Sequence, residues 1–161
     1  MAEPPASNAS PLIVLARAGH LRLLRELYGT VIVPGAVVSE LLRGPASDAA
    51  AAALQSETWL KRTAVGDIPT RIATWDLGLG EAEVLAWALE RPGCEAILDN
   101  RLGRRCARAL GVLVRGTLGV VLLGKKRGVI PAARPVMDAL VHAGLFLAPD
   151  LREQALRLVG E

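Results

Sequence analysis

A-I-L-D-N-R, from Ala96 to Arg101, is the stretch that decides the fold. Ala96 to Leu98 reads as a short buried strand, Asp99 and Asn100 interrupt it, and Arg101 to Leu110 reads as a helix. That helix sets Arg101, Arg104, Arg105 and Arg108 on an outer face and keeps Cys106 inside. Val112 to Val114 then reads as the next strand. An apolar strand passing through two polar residues into an amphipathic helix, and on to another strand, is the grammar of a parallel βαβ unit.

The same grammar extends outward. Ser10 is expected to cap a helix with Pro11 at its first position, stopped by Gly19. Leu21, Leu24 and Leu27 mark a second helix to Tyr28, ended by Gly29. Val31 to Val33 is a β-branched strand, and Pro34 opens a helix through Glu40 to Arg43, stopped by Gly44-Pro45. Asp48 caps an Ala-rich helix to about Glu57, and Trp59 to Val65 reads as a strand. The segment 66–80 reads as a loop; Gly80 precedes a helix from Glu81 to Arg91, ended by Pro92-Gly93. Thr117 starts another helix, and two more follow near Ala132 to Ala143 and Asp150 to Val159. Short strands separated by helices imply an α/β fold with a central parallel sheet covered on both faces. With no internal repeat or low-complexity linker, residues 1–161 read as one domain, on which helices from about 131–161 pack. The start is the discordant part: Pro4 and Pro5 bring no N–H to a ladder, so a first strand ahead of Asn8 is expected to be degenerate.

Composition narrows the function classes. The chain has 161 residues, 52% of them hydrophobic, enough for a sizeable core and too apolar for disorder. No apolar run reaches the roughly 18 residues of a membrane span, and M-A-E-P-P-A has no signal-peptide pattern, so a cytoplasmic protein is expected. The net charge of +3 permits a nucleic-acid partner without requiring one. Cys94 and Cys106 lack zinc-site spacing, and Cys106 reads as core. There is no G-x-G-x-x-G after a strand and no G-x-x-x-x-G-K-[ST], which weighs against the common phosphate-loop families.

Isolated oxygen-bearing side chains stand where apolar segments start or stop: Asn8 and Ser10, Glu40, Glu81, and Asp99 with Asn100. Strand ends of a parallel sheet line one crevice, and hard divalent cations take oxygen ligands. Each residue also has an ordinary reading. Asn8-Ala9-Ser10 and Asp99-Asn100 can cap helices, and Glu81 can complement a helix dipole.

Their order along the chain, polar group after a strand, Glu on a helix, Glu on a helix, Asp after a strand, resembles the PIN-domain superfamily. Nearly the whole chain carries the likeness: S-N-A-S-P-L-I-V-L-A-R-A-G-H-L-R-L-L, I-V-P-G-A-V-V-S-E-L-L, L-G-L-G-E-A-E-V-L-A-W-A, L-D-N-R-L-G-R-R-C-A and R-G-T-L-G-V-V-L-L-G-K-K-R-G-V-I-P. It is most similar to a short PIN-like branch of unknown function. The resemblance implies a three-layer α/β/α fold and metal-dependent hydrolysis of RNA. It implies Mg or Mn bound by Asn8, Glu40, Glu81 and Asp99 or Asn100, with Glu40, Glu81 and Asp99 catalytic and Ser10 and Thr117 in support. It also implies a homodimer and a small antitoxin partner, as in the ribonuclease toxins of toxin–antitoxin pairs. Arg101, Arg104 and Arg105 are candidate RNA contacts, although a charge run is usually a solvated face. Asn8 is neutral where active relatives carry Asp, and Asn100 brings no charge either. The alternative is therefore a catalytically silent PIN-like module that binds RNA or a protein partner.

Overall fold

The computed structural model describes residues 2–45 and 48–161. Along the chain, β1 (Ala6–Ser7) leads to α1 (Ala9–Arg17), α2 (Arg22–Tyr28) and β2 (Val31–Pro34). Then come α3 (Gly35–Arg43), α4 (Ala49–Ser56) and β3 (Leu60–Thr63). The next are α5 (Thr70–Ala73), α6 (Leu79–Leu89), β4 (Glu95–Ile97), α7 (Arg101–Ala109) and β5 (Leu113–Arg115). The chain closes with α8 (Thr117–Lys126), α9 (Arg134–His142) and α10 (Pro149–Leu158).

The five strands pair in parallel in the order β3-β2-β1-β4-β5, and helices flank the sheet, as the α/β reading expects. Outward from β1 the chain adds β2 and β3 on one side, then β4 and β5 on the other. The switch point therefore falls between β1 and β4, and a doubly wound sheet opens its binding crevice there, beyond the carboxyl ends of the strands. Ala6 pairs with Ala96 and Ser7 with Ile97, so Asn8 and the residues after Ile97 emerge side by side.

β1 has two residues and holds the middle of the sheet. The prolines before it contribute acceptors only: the Ile32 N–H donates to the Pro5 carbonyl at 2.8 Å and the Cys94 thiol to that of Pro4 at 3.2 Å. Burial pushes the Cys94 thiol up to about 11, so it stays a protonated donor at neutral pH. The strand expected to be degenerate is thus short but paired on both sides.

Most helix ends follow local chemistry. Gly19 and Gly29 take positive φ where α1 and α2 stop, and Asp48 accepts from the Ala50 N–H as the cap of α4. Ser10 does not cap α1; the cap position is Asn8, in extended backbone, and Ser10 lies inside the first turn. The expected strand Trp59 to Val65 contracts to Leu60–Thr63 at the sheet edge. The expected loop 66–80 contains α5 and the start of α6, so Gly80 lies within a helix rather than before one. The core includes Leu15, Leu24, Val33, Leu85, Ile97 and Met137, all fully buried, each stabilising by roughly 1.5–3 kcal/mol.

A polar tie crosses the edge of this core. Arg115 donates from Nε and Nη2 to the two Glu95 oxygens at 3.0 and 3.1 Å, and the Tyr28 hydroxyl donates to Glu95 at 2.8 Å. Burial works to raise the Glu95 carboxyl, and the bonds from Arg115 and Tyr28 outweigh it, holding it below the usual carboxylate range. A depressed carboxyl stabilises the fold above its unfolded-state value, about pH 4.3, and loses that contribution as pH falls through the folded one. The Glu95→Gln variant should therefore melt below the wild type at pH 7, with the gap narrowing in thermal melts below about pH 4. A constant gap across that range would contradict the assignment.

Candidate functional site

Three of the predicted side chains meet at the crevice. Asn8 is 3% exposed, and its Nδ2 donates to Glu81 Oε1 at 3.1 Å. Its Oδ1 is buried and, among the described residues, has no hydrogen-bond partner. Glu40 comes from α3 and Glu81 from the first turn of α6. A methyl group built on Gly80 would lie 2.8 Å from Glu40 Oε1 and 3.0 Å from Asn8 Oδ1, so both oxygens converge on the backbone of α6 at a point only glycine leaves open. On Gly78 the same methyl would meet Glu81 Oε2 at 2.5 Å. Two glycines thus shape the pocket that holds these carboxylates.

Burial, and next the negative charge of Glu81, push the Glu40 carboxyl above its ordinary value, against a smaller opposing pull from Arg43. Glu83, two residues after Glu81, points elsewhere: its carboxylate accepts from the Ala36 N–H at 2.9 Å, at the start of the helix that carries Glu40. This bond locks α6 to α3 and sets the spacing of Glu40 and Glu81. Sequence reading missed both Gly80 and Glu83 as site residues, because each acts through a contact with a distant helix. The one local signal was G-E-A-E, which sends its two glutamates in different directions from one helix.

Asp99 occupies the other side of the crevice. Its Oδ1 accepts from the Thr117 N–H at 2.7 Å and its Oδ2 from the Thr117 hydroxyl at 2.5 Å, so the carboxylate caps α8. Asp99 Oδ1 and Arg104 Nη1 both crowd Gly116, where an added methyl would lie 2.9 and 2.5 Å from them. Arg104 is half-buried, with its guanidinium beside Gly116, whereas Arg101 and Arg105 are exposed. Asn100 accepts from the Gly103 N–H at 2.7 Å as the cap of α7, which commits its side-chain oxygen to that helix. Ser10 is exposed on α1 and, with Asp99, lines a cleft of about 300 Å³.

Among the described residues, no three Asp, Glu, His or Cys side chains stand close enough together to hold a metal ion. The donors that do converge are two carboxylates and one amide oxygen. They fit a hard divalent ion, since Mg²⁺ is ordinarily held by one or two carboxylates with water completing its shell. Asn8 Oδ1, without a hydrogen-bond partner among the described residues, leaves an acceptor open to such an ion or to water, and a buried acceptor left alone costs about 1–3 kcal/mol.

If Glu81 raises the Glu40 carboxyl through its charge, Glu81→Gln should move the Glu40 titration to lower pH. Carboxyl carbon NMR on the metal-free protein reads this directly, and an unmoved Glu40 titration would show the two groups to be independent.

Comparison with known proteins agrees with this architecture. No curated protein matches the chain. A family described as a PIN domain matches residues 5–161. The sheet order, the crevice at its switch point and that match together place the chain in the PIN-domain family.

Proposed function

We propose that this PIN domain is a metal-dependent endoribonuclease that uses Mg or Mn. The PIN domain is a nuclease-type fold that generally works with divalent metal ions, and the observation that carries the reading here is the open Asn8 Oδ1 beside Glu40 Oε1. Asn8, Glu40 and Glu81 would hold the ion. When bound, it would supply charge neutralisation at the phosphodiester and acidify a water. The chain's own groups do the remaining work. Asn8 Nδ2 fixes Glu81 while Glu83 fixes α3 against α6. Glu40, whose Oε1 converges with Asn8 Oδ1 beside Gly80, would help hold the ion and orient the attacking water. Asp99 fastens Thr117 and the first turn of α8 beside the crevice, and its negative charge faces the same opening. Arg101, Arg104 and Arg105 would meet the RNA backbone, with planar guanidinium groups suited to phosphate. By the same reading the protein is the toxin half of a toxin–antitoxin pair, a cytoplasmic homodimer restrained by a small antitoxin. Among the described residues, no helix is long and apolar enough to cross a membrane.

A second reading, a catalytically silent module that binds RNA or a protein, draws on one specific observation. Both Asp99 oxygens are engaged by Thr117, which leaves only two carboxylates at the Asn8 corner.

Incubation of single-stranded RNA with the protein and Mn²⁺ separates the two. The ribonuclease reading expects cleavage that EDTA abolishes and that Glu40→Gln or Glu81→Gln lowers by at least about 100-fold, the range of a lost acid–base or charge-stabilising group. RNA bound but left intact at every metal concentration would favour the silent module.

A further inference from the structure

Phe146 is the only phenylalanine in the chain and is 91% exposed. The other aromatic side chains are placed: Trp59 is buried, Trp75 and Trp87 are half-buried, and Tyr28 is bonded to Glu95. An aromatic ring left almost wholly in water gives up the burial that ordinarily stabilises it. Its position is specific. Phe146 lies between α9 and α10, on the wall shared by two clefts of about 510 and 300 Å³, and Asp99 lines both. The larger cleft is walled by apolar side chains, Leu118, Leu122 and Leu151 among them, and carries Arg104.

The charges beside it distinguish the kind of ligand. Arg17, on the smaller cleft, is paired with Asp48 at 2.7 Å. Among the described residues, Arg101, Arg104, Arg105 and Arg108 of α7 enter no salt bridge. Arg104 donates to the Leu98 carbonyl at 3.4 Å, a long bond that leaves most of its guanidinium free. A flat exposed ring, apolar walls and the guanidinium of Arg104, beside an Arg115 already paired with Glu95, complement a nucleotide: a base for the ring and a phosphate for Arg104. A protein segment would need both apolar side chains for the cleft and a carboxylate for Arg104, whereas one nucleotide supplies a base and a phosphate together.

We infer that Phe146 is a base-stacking platform, which seats one nucleotide of single-stranded RNA in the cleft beside Asp99 and so positions the neighbouring phosphodiester at the Asn8–Glu40–Glu81 corner. This rests on the ribonuclease reading and adds to it a residue that selects single strands, because a base inside a duplex cannot stack on a side chain. The platform is sequence-tolerant, since every base offers a π-face.

The test is binding of a fluorescently labelled single-stranded RNA, followed by anisotropy at fixed low salt in EDTA, so that affinity is read without metal or cleavage. Because the ring is exposed, Phe146→Ala should fold normally, and it should weaken binding by roughly tenfold, within the range of one lost base stack. Phe146→Trp should keep the affinity and add an indole emission that RNA quenches. Wild-type affinity in Phe146→Ala would overturn the platform while leaving the ribonuclease reading intact. Unchanged RNA binding with a shift of Phe146→Ala from dimer to monomer in light scattering would overturn it by assigning the ring to a protein interface. No RNA binding by the wild type in EDTA would overturn the platform, whereas the ribonuclease reading falls only if RNA also stays intact with Mn²⁺.

Discussion

Two residues of parallel ladder, Ala6 and Ser7, hold this structure together at its centre. On one side Ala6 pairs with Ile32; on the other Ala6 and Ser7 pair with Ala96 and Ile97. The Asn8 N–H continues that ladder onto the Ile97 carbonyl at 2.9 Å. Both halves of the sheet therefore join through a strand with little length to spare. That constraint explains why prolines can stand immediately before it: the carbonyls of Pro4 and Pro5 are the groups in demand, and both are bonded. It also explains how Asn8 can be buried at the edge of a crevice. Its backbone belongs to the sheet, while its side chain faces the gap that the change of direction between β1 and β4 creates.

Everything at the site builds on that placement. One end of the Asn8 amide donates to Glu81 and the other meets no donor among the described residues. An Asp at this position would bring a second negative oxygen toward Glu81 and repel it; the amide attracts it instead. The substitution that lowers the charge of the donor set therefore also orders it. Glu83, the cap glycine Gly78 and Gly80 of α6 complete the arrangement, the first by bonding to the start of α3 and the glycines by leaving room for oxygens. Asp99 shows the opposite allocation. It lies at the strand end where the fold gathers charge, and it is engaged by Thr117.

Much of the fold was legible because the local signals agreed. Val31 to Val33 is β-branched and bounded by Gly29 and Pro34, Asp48 has the geometry of a helix cap, and Ala96 to Leu98 runs into a helix through a capping Asn. Where reading erred, a tertiary contact prevailed. Ser10 followed by Pro11 looks like a helix start, yet the ladder that ends at Asn8 starts α1 two residues earlier than that reading. The four residues of α5 are too few to show a period. The tie among Tyr28, Glu95 and Arg115 joins residues 67 and 20 positions apart, and no spacing rule reaches that far. At the site the oxygen-bearing residues could be named from their places after strands and on helices. Which oxygens would be free depended on packing: Asn100 serves its own helix, and Asn8 does not.

Asn8, Glu40 and Glu81 are proposed to hold a single cation between them. Calorimetric titration of Mn²⁺ into the wild type and into Asn8→Ala, Glu40→Gln and Glu81→Gln tests it most directly. The account predicts one ion per chain, with affinity lost or lowered at least tenfold in every variant and circular dichroism unchanged. No binding by the wild type, or binding that all three variants retain, would contradict it.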